Sequence, residues 1–155
     1  MAATSEFTAE ERNLLVRLPR WIVGAAIASG GPKSHHESDN GFLSVANGRR
    51  LGNPLVAELA DATLRVFDQD PKRSGVDPST QEGIDLVVGY AQTAMAILRS
   101  KADEADAAIY RRWLLQITDD VITTVRTIGG VQTTPAQRSF RERLADVTRA
   151  TPPTT

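Results

Sequence analysis

Two adjacent arginines stand just before a strong helix start in the segment NGRRLGNP, residues 47–54. Asn53 is a favoured N-cap residue and Pro54 suits the first helical position, so a helix is expected to begin here. The first amides of that helix lack intrahelical partners and carry the positive end of its dipole. Together with Arg49 and Arg50 they can bind a phosphate or a carboxylate. The glycine spacing matches neither the dinucleotide nor the nucleotide-triphosphate loop, so we predict a simple anion site at Arg49, Arg50 and Asn53, with solvated arginines as the alternative.

Both histidines of the chain fall in one polar stretch, 29–52, which is expected to be largely irregular. His35 and His36 are followed by Glu37 and Asp39, and imidazole and carboxylate groups suit zinc or nickel. A closed structural site needs about four ligands from a rigid frame, and the chain offers no third histidine and no cysteine. We therefore expect solvated loop histidines and no bound metal or other cofactor.

Carboxylates on expected helices offer a third kind of chemistry. Glu58 and Asp61 are three residues apart, while Asp85, Asp119 and Asp120 lie within later helices. Carboxylates that converge inside a bundle can hold magnesium for phosphoester hydrolysis. Acidic residues on helix exteriors are the ordinary case, and the Glu-x-x-His pairs of di-iron bundles do not occur in the predicted helices. We therefore assign no catalytic residue, although inward-facing Asp119 and Asp120 beside Glu58 or Asp61 would favour a phosphohydrolase.

The overall composition restricts the classes of partner. The chain has 155 residues, enough for one domain that buries roughly 70% of its unfolded surface. Its 18 basic and 19 acidic residues give a net charge of -1, so no global field attracts nucleic acid or an anionic membrane. The absence of cysteine removes disulfides and thiol chemistry and favours a cytoplasmic location. The richness in alanine, arginine and threonine suggests a bacterial source.

The elements that must position these groups are helices, and the clearest is expected at 104–128. Its apolar residues recur at steps of three and four, the period of one helical face. They are Tyr110, Leu114, Ile117, Val121, Val125 and Ile128. Trp113 and Ile109 widen this face, so the helix should pack against more than one neighbour inside a bundle.

A first helix is expected at 8–29, because Thr8 and Glu11 form the capping-box pattern. Its second half is apolar nearly all round and must be buried on both sides. Pro19 lies inside the pattern and removes one backbone hydrogen bond, so we expect a kink or a break near 16–18. The apolar run 14–28 is shorter than the roughly 20 residues that span a bilayer, and acidic residues precede it. We therefore interpret it as a core helix, with neither a membrane span nor a signal peptide.

Caps and apolar stripes predict the remaining elements. The expected ranges are 54–67, 78–100 and 135–149, with a further short helix at 39–46 and a disordered tail at 151–155. The short connection after residue 100 makes the helices 78–100 and 104–128 an antiparallel hairpin. The predicted fold is an all-α, antiparallel four- to five-helix bundle in a single domain, 1–150, with its first helix kinked at Pro19.

Two apolar blocks carry a resemblance. The run after Leu18-Pro19, which includes Gly24 to Ala28, and the block YRRWLL at 110–115 resemble parts of small all-helical bacterial proteins that are uncharacterised. The two blocks cover about a fifth of the chain. The resemblance implies an all-helical bacterial bundle and no particular activity.

Three functions from different classes follow from these observations. The first is an interaction module that self-associates or binds a protein partner, because the first helix and the helix 104–128 offer more apolar surface than short elements easily cover. The second is a small-ligand bundle with a pocket lined by Trp21, Tyr90 and Trp113 and an anion held by Arg49 and Arg50. The third is the metal-dependent phosphohydrolase that uses the helix carboxylates.

Overall fold

The computed structural model describes residues 6–30, 35–68, 76–78, 80–127 and 134–149, and within these it leaves the side chains of 35–40 and 123–127 undescribed. These residues form helices joined by short connections and contain no strand, so the predicted all-α class is confirmed. The helices are α1 (Ala9–Ser29), α2 (His35–Ala46), α3 (Pro54–Arg65), α4 (Gln81–Lys101), α5 (Glu104–Thr127) and α6 (Pro135–Thr148). A short 3-10 helix, Asn47–Arg50, follows α2. The predicted tail at 151–155 lies outside the described residues.

Side-chain caps set the starts of the helices. The Thr8 hydroxyl accepts from the Glu11 amide at 3.1 Å, and the Glu11 carboxylate accepts from the Thr8 amide at 2.9 Å. The start of α6 repeats this reciprocal arrangement with Thr134 and Gln137. α3 begins at Pro54, as predicted.

Two helix starts differ from the prediction. α4 begins at Gln81 rather than at 78, because the Thr80 hydroxyl caps it by accepting from the Gly83 amide at 2.9 Å. A Cβ at Gly83 would lie 1.6 Å from the Asp77 carbonyl oxygen, so this position requires glycine. α2 begins at His35, which is earlier than 39, so the stretch that holds both histidines is helical and the predicted loop is wrong there.

α1 is the central element of the fold, since it packs against α2, α3, α4, α5 and α6. Its second half is buried on both sides, as its all-round apolar pattern predicts. The residues concerned are Trp21, Ile22, Val23, Ala25, Ala26 and Ile27. The apolar surface that suggested self-association is therefore covered within one chain. The described apolar residues of α5 from Tyr110 to Ile122 are likewise at least nine-tenths buried, and Ile109, just before them, is half-buried.

α1 continues through Pro19, so the considered break does not occur, while the kink stays a prediction. Proline lacks the N–H that would bond to the carbonyl four residues earlier, that of Leu15. The buried Tyr110 hydroxyl donates to this carbonyl at 2.9 Å. The Thr63 hydroxyl lies 2.7 Å from the next carbonyl, that of Val16. Hydroxyl groups from α5 and α3 thus replace and support the backbone bonding around the proline.

The helix α6 has a thin apolar face and is fixed at both ends by polar contacts. At its start, the Thr134 hydroxyl donates to the Ser29 carbonyl of α1 at 2.9 Å. At its end, Arg99 donates to the Thr148 carbonyl at 2.8 Å, and Arg111 donates to the Ala145 carbonyl at 3.1 Å. Guanidinium groups therefore satisfy carbonyls that a helix end leaves unpaired and lie at the negative end of its dipole.

Candidate functional site

The residues predicted to bind an anion at the start of α3 already have acidic partners. The Arg49 guanidinium lies 2.5 Å from the Asp61 carboxylate, and about half of each side chain is exposed. Asn53 caps the Val56 amide at 3.0 Å and donates through its side-chain amide to the buried Asp106 carboxylate at 2.8 Å. An anion arriving here would meet two carboxylates and an occupied cap. The geometry thus weighs against the site, although the side chain of the third predicted residue, Arg50, is exposed.

The structure brings together two of the three aromatic residues predicted to line a pocket. The rings of Trp21 and Tyr90 are 5.3 Å apart between centroids and tilted by 37°. They line a groove of about 530 Å³ between α1 and α4, which we call the aromatic groove. Its lining residues are Glu10, Asn13, Leu14, Arg17, Trp21, Tyr90 and Thr93.

The third predicted aromatic residue, Trp113, lies elsewhere in the fold. Its side chain is only 1% exposed, and its indole N–H donates to the Val45 carbonyl at 3.2 Å. A Cβ at Gly48 would lie 2.7 Å from the indole, so the 3-10 helix packs directly on this ring. Trp113 therefore joins α5 to the end of α2 and does not line the aromatic groove.

The helix carboxylates are dispersed rather than convergent. Asp119 accepts both hydrogen bonds of a fork from Arg141, at 3.0 and 3.3 Å, and is half exposed. Asp120 accepts from the Ser44 hydroxyl at 2.6 Å. Asp85 accepts from Arg143 at 2.8 Å, and this hydrogen bond, followed by one from Gln81, lowers the pKa of the Asp85 carboxyl.

Within the part of the chain that the structure describes, no three metal-binding side chains form a group. Asp61 is paired with Arg49, and Glu58 is exposed. The inward-facing arrangement that a phosphohydrolase would need is therefore not found among these residues. The side chains of His35, His36, Glu37 and Asp39 lie outside the described part, so the prediction of solvated histidines stays a prediction.

A second groove, of about 360 Å³, lies between α1 and α3 and was not predicted. We call it the arginine groove. Its lining residues are Ala9, Arg12, Asn13, Val16, Arg17, Ala62, Arg65 and Val66. Arg17 is held by a hydrogen bond from its Nε to the Asn13 side-chain oxygen at 2.8 Å. Arg17 and Asn13 also line the aromatic groove, so the two grooves flank the same exposed ridge of α1.

Little in the sequence could have indicated the arginine groove. Arg65 is distant in sequence from Arg12 and Arg17, and only the packing of α3 on α1 joins them. The spacing of Asn13 and Arg17, four residues apart, is a helical-face signal that could have indicated a shared ridge.

Two further observations bear on what this chain can be. No helix in the described ranges is both long and apolar enough to cross a membrane. Comparisons with models of protein families, with curated proteins and with solved structures gave no match to this chain.

Proposed function

We propose that this protein is a helical bundle that binds a small molecule in the aromatic groove. The observation that carries the proposal is the pairing of Trp21 and Tyr90, with ring centroids 5.3 Å apart, at the edge of a groove of about 530 Å³. A volume of this size is typical of sites for small ligands, which combine apolar walls with a few polar groups. Here the polar groups include Asn13, Arg17 and Thr93.

The arrangement favours a planar aromatic molecule that carries an anionic substituent. Trp21 is only 6% exposed and forms a fixed wall, whereas the half-buried Tyr90 offers accessible ring surface. Arg17 precedes Trp21 by one helical turn and lines the same groove, so it supplies positive charge on that face of α1. Glu10 is two turns from Arg17, roughly 10 Å along the helix, and so lies at the far end of the groove.

Nuclear magnetic resonance can test this proposal with three indole compounds of different charge. We expect indole-3-acetate to bind more tightly than indole, and indole more tightly than tryptamine. Ligand addition should shift the side-chain N–H signal of Trp21 and leave that of buried Trp113 in place. Tyr90→Ala should weaken indole-3-acetate binding, while Leu86→Ala, on the exposed surface of the same helix, should not.

The proposal would be wrong if none of the three compounds shifted the Trp21 signal. It would also be wrong if Tyr90→Ala and Leu86→Ala had equal effects on binding. In that second case the site would lie away from the aromatic pair.

Self-association is the second candidate function, because two consecutive apolar side chains of α2 remain exposed. Phe42 is 41% exposed and Leu43 is 60% exposed, and Phe42 contacts the Phe67 ring edge-on at 5.1 Å between centroids. Exposed apolar residues of this kind can form a contact between copies. Sedimentation equilibrium should then give a multiple of 16.8 kDa that Leu43→Ser reduces to the monomer. A wild-type chain that stays monomeric at high concentration would exclude it.

The setting predicted from the sequence belongs to the same proposal. We place the protein in a bacterial cytoplasm, on the support of its composition and its lack of cysteine. Fractionation of a cell that expresses the full chain, with the protein found in the membrane or outside the cell, would contradict this.

A further inference from the structure

We propose that the Thr93 hydroxyl makes the aromatic groove selective for ligands that carry a ring N–H group. Thr93 lines this groove together with Tyr90, three residues earlier on α4. Its hydroxyl donates to the Gly89 carbonyl at 3.2 Å. The inference rests on the proposed function and deepens it, because it names the hydrogen-bonding group that the planar aromatic ligand must present.

The hydroxyl of Thr93 can act only as an acceptor toward a ligand. A threonine hydroxyl has a single hydrogen and two acceptor lone pairs. The Gly89 carbonyl, one helical turn back, takes that hydrogen, so the oxygen has none left to donate. A ligand N–H therefore finds a partner here, whereas a ligand oxygen in the same place meets an oxygen lone pair and gains no hydrogen bond.

The position of Thr93 makes it accessible to a ligand in the groove. Thr93 is exposed, and the glycine that accepts its hydrogen has no side chain to cover it. A Cβ at Gly89 would have no atom within 4 Å, so the space beside this turn of α4 is open. Residues three apart on a helix have Cβ atoms about 5 to 6 Å apart, so a ring stacked on Tyr90 brings its edge within reach of Thr93.

The α1 wall of the groove offers a donor instead. The Arg17 guanidinium, which carries only N–H groups, donates from its Nε to the Asn13 side-chain oxygen at 2.8 Å. This bond turns the Asn13 oxygen toward Arg17, so the amide N–H groups of Asn13 are the ones that can bind a ligand. A planar molecule with an N–H directed at α4 and a carboxylate directed at α1 can therefore bond to both walls.

Indole-3-acetate and benzofuran-3-acetate differ in one ring atom and so test the Thr93 hydroxyl directly. Benzofuran has an ether oxygen in place of the N–H and keeps the carboxylate. We expect the wild-type chain to bind benzofuran-3-acetate at least about threefold more weakly, the effect of one neutral hydrogen bond. Thr93→Val keeps the branched shape without the hydroxyl, so it should bring the two dissociation constants close together. Thr93→Ser keeps the hydroxyl and is the matched control, in which the difference should remain.

Asn13→Asp tests the direction in which the ligand lies. The substituted carboxylate can still accept from Arg17, but it has no N–H to donate and it repels an anion. The variant should weaken the binding of indole-3-acetate by at least about tenfold and that of neutral indole by less than about twofold. Equal losses for the two compounds would overturn the placement of the ligand carboxylate beside Asn13.

Calorimetric titration of the full chain with each compound separates this inference from the proposed function. Equal affinities for the two acetates in the wild-type chain, with the Trp21 signal shifted by both, would overturn the role of Thr93 and leave the aromatic groove as the site. A difference that persists in Thr93→Val would overturn that role too, because another group would then recognise the N–H. If neither compound binds, the proposed function fails and this inference fails with it.

Discussion

Two arginine-rich regions of this protein differ in what surrounds the guanidinium groups. Around α6, arginines contact carboxylates or helix carbonyls of neighbouring elements: Arg141 contacts Asp119, and Arg111 donates to the Ala145 carbonyl and the Thr148 hydroxyl. In the arginine groove, the described lining offers no carboxylate. The first region uses its positive charges to join neighbouring elements, whereas in the second Arg17 donates to Asn13 within its own helix. The number of arginines in a segment does not distinguish these roles, whereas their neighbours do.

Burial and like charge both act on the first region. The pKa of Arg111 is lowered by its burial and then by the positive charges of Arg149, Arg141 and Arg99. The carbonyl end of α6 offsets this repulsion, because it carries partial negative charge. In contrast, the hydrogen bond to Asp119 raises the pKa of Arg141. The two arginines thus depend on different partners, a helix end and a carboxylate.

The largest effect that this comparison predicts is on stability. Arg111→Ala should lower the free energy of unfolding by about 2 kcal/mol or more, because it leaves the Ala145 carbonyl and the Thr148 hydroxyl without their charged donor. Arg65→Ala should change it by less than about 0.5 kcal/mol. Urea unfolding followed by circular dichroism measures both. Equal losses would contradict the distinction between arginines that join neighbouring elements and an exposed arginine such as Arg65.

A second effect concerns the inner side of the ridge that carries Arg12 and Arg17. Tyr110→Phe removes the donor to the Leu15 carbonyl and should cost roughly 1 to 2 kcal/mol. Pro19→Ala supplies a backbone N–H to the same carbonyl, so the cost of Tyr110→Phe should be smaller in that background. A double-mutant cycle by urea unfolding measures the coupling. Additive costs would show that the two groups do not share this carbonyl.

The ion pair between Arg141 and Asp119 should have a smaller effect. Both partners are substantially exposed, so Asp119→Asn should cost only about 0.2 to 1 kcal/mol at low salt. Because salt screens exposed pairs, the difference from wild type should shrink in 1 M salt. A difference that persists there would place this pair in a drier environment than the structure gives it.

The smallest expected effect is the dependence of stability on pH through Asp85. Its pKa is lower in the folded state than its ordinary value of about 3.9. The carboxylate therefore adds stability above that ordinary value, and this stability is lost as the pH falls through the lower, folded value. Asp85→Asn should flatten the acid side of the stability curve, below about pH 4, and leave the neutral region nearly parallel to wild type. If Asp85→Asn left the dependence of stability on pH unchanged below about pH 4, the hydrogen bond from Arg143 to Asp85 would not contribute to stability.

Local signals in the sequence predicted much of the fold. The Thr8 and Thr134 caps and the Asn53-Pro54 pair indicated starts that agree with α1, α6 and α3 to within one residue. The start of α4 was placed three residues early, because Asp77-Pro78 resembles a cap and the Thr80 cap depends on the approach of the Asp77 carbonyl.

The positions of side chains between helices were less predictable. A Cβ at Gly83 would meet the Asp77 carbonyl, but a Cβ at Gly89 would have no atom within 4 Å, so close packing explains the first glycine of α4 and not the second. Trp113 and Tyr90 belong to adjacent helices with similar apolar stripes, and only the packing assigns one to the core and the other to a groove. The same applies to Arg49, whose neutralisation depends on Asp61 one helix away.

The most direct test of the difference between the two arginine regions is the rate at which the side-chain Nε–H of each arginine exchanges with water, measured by nuclear magnetic resonance. Each assigned arginine reports on its own surroundings in one experiment on the wild-type chain. We predict slow exchange for Arg111 and Arg141, whose Nε–H groups donate to the Thr148 hydroxyl and the Asp119 carboxylate, and fast exchange for the exposed Arg65. Equal exchange rates at these three arginines, or slower exchange at Arg65, would contradict the difference between the two regions.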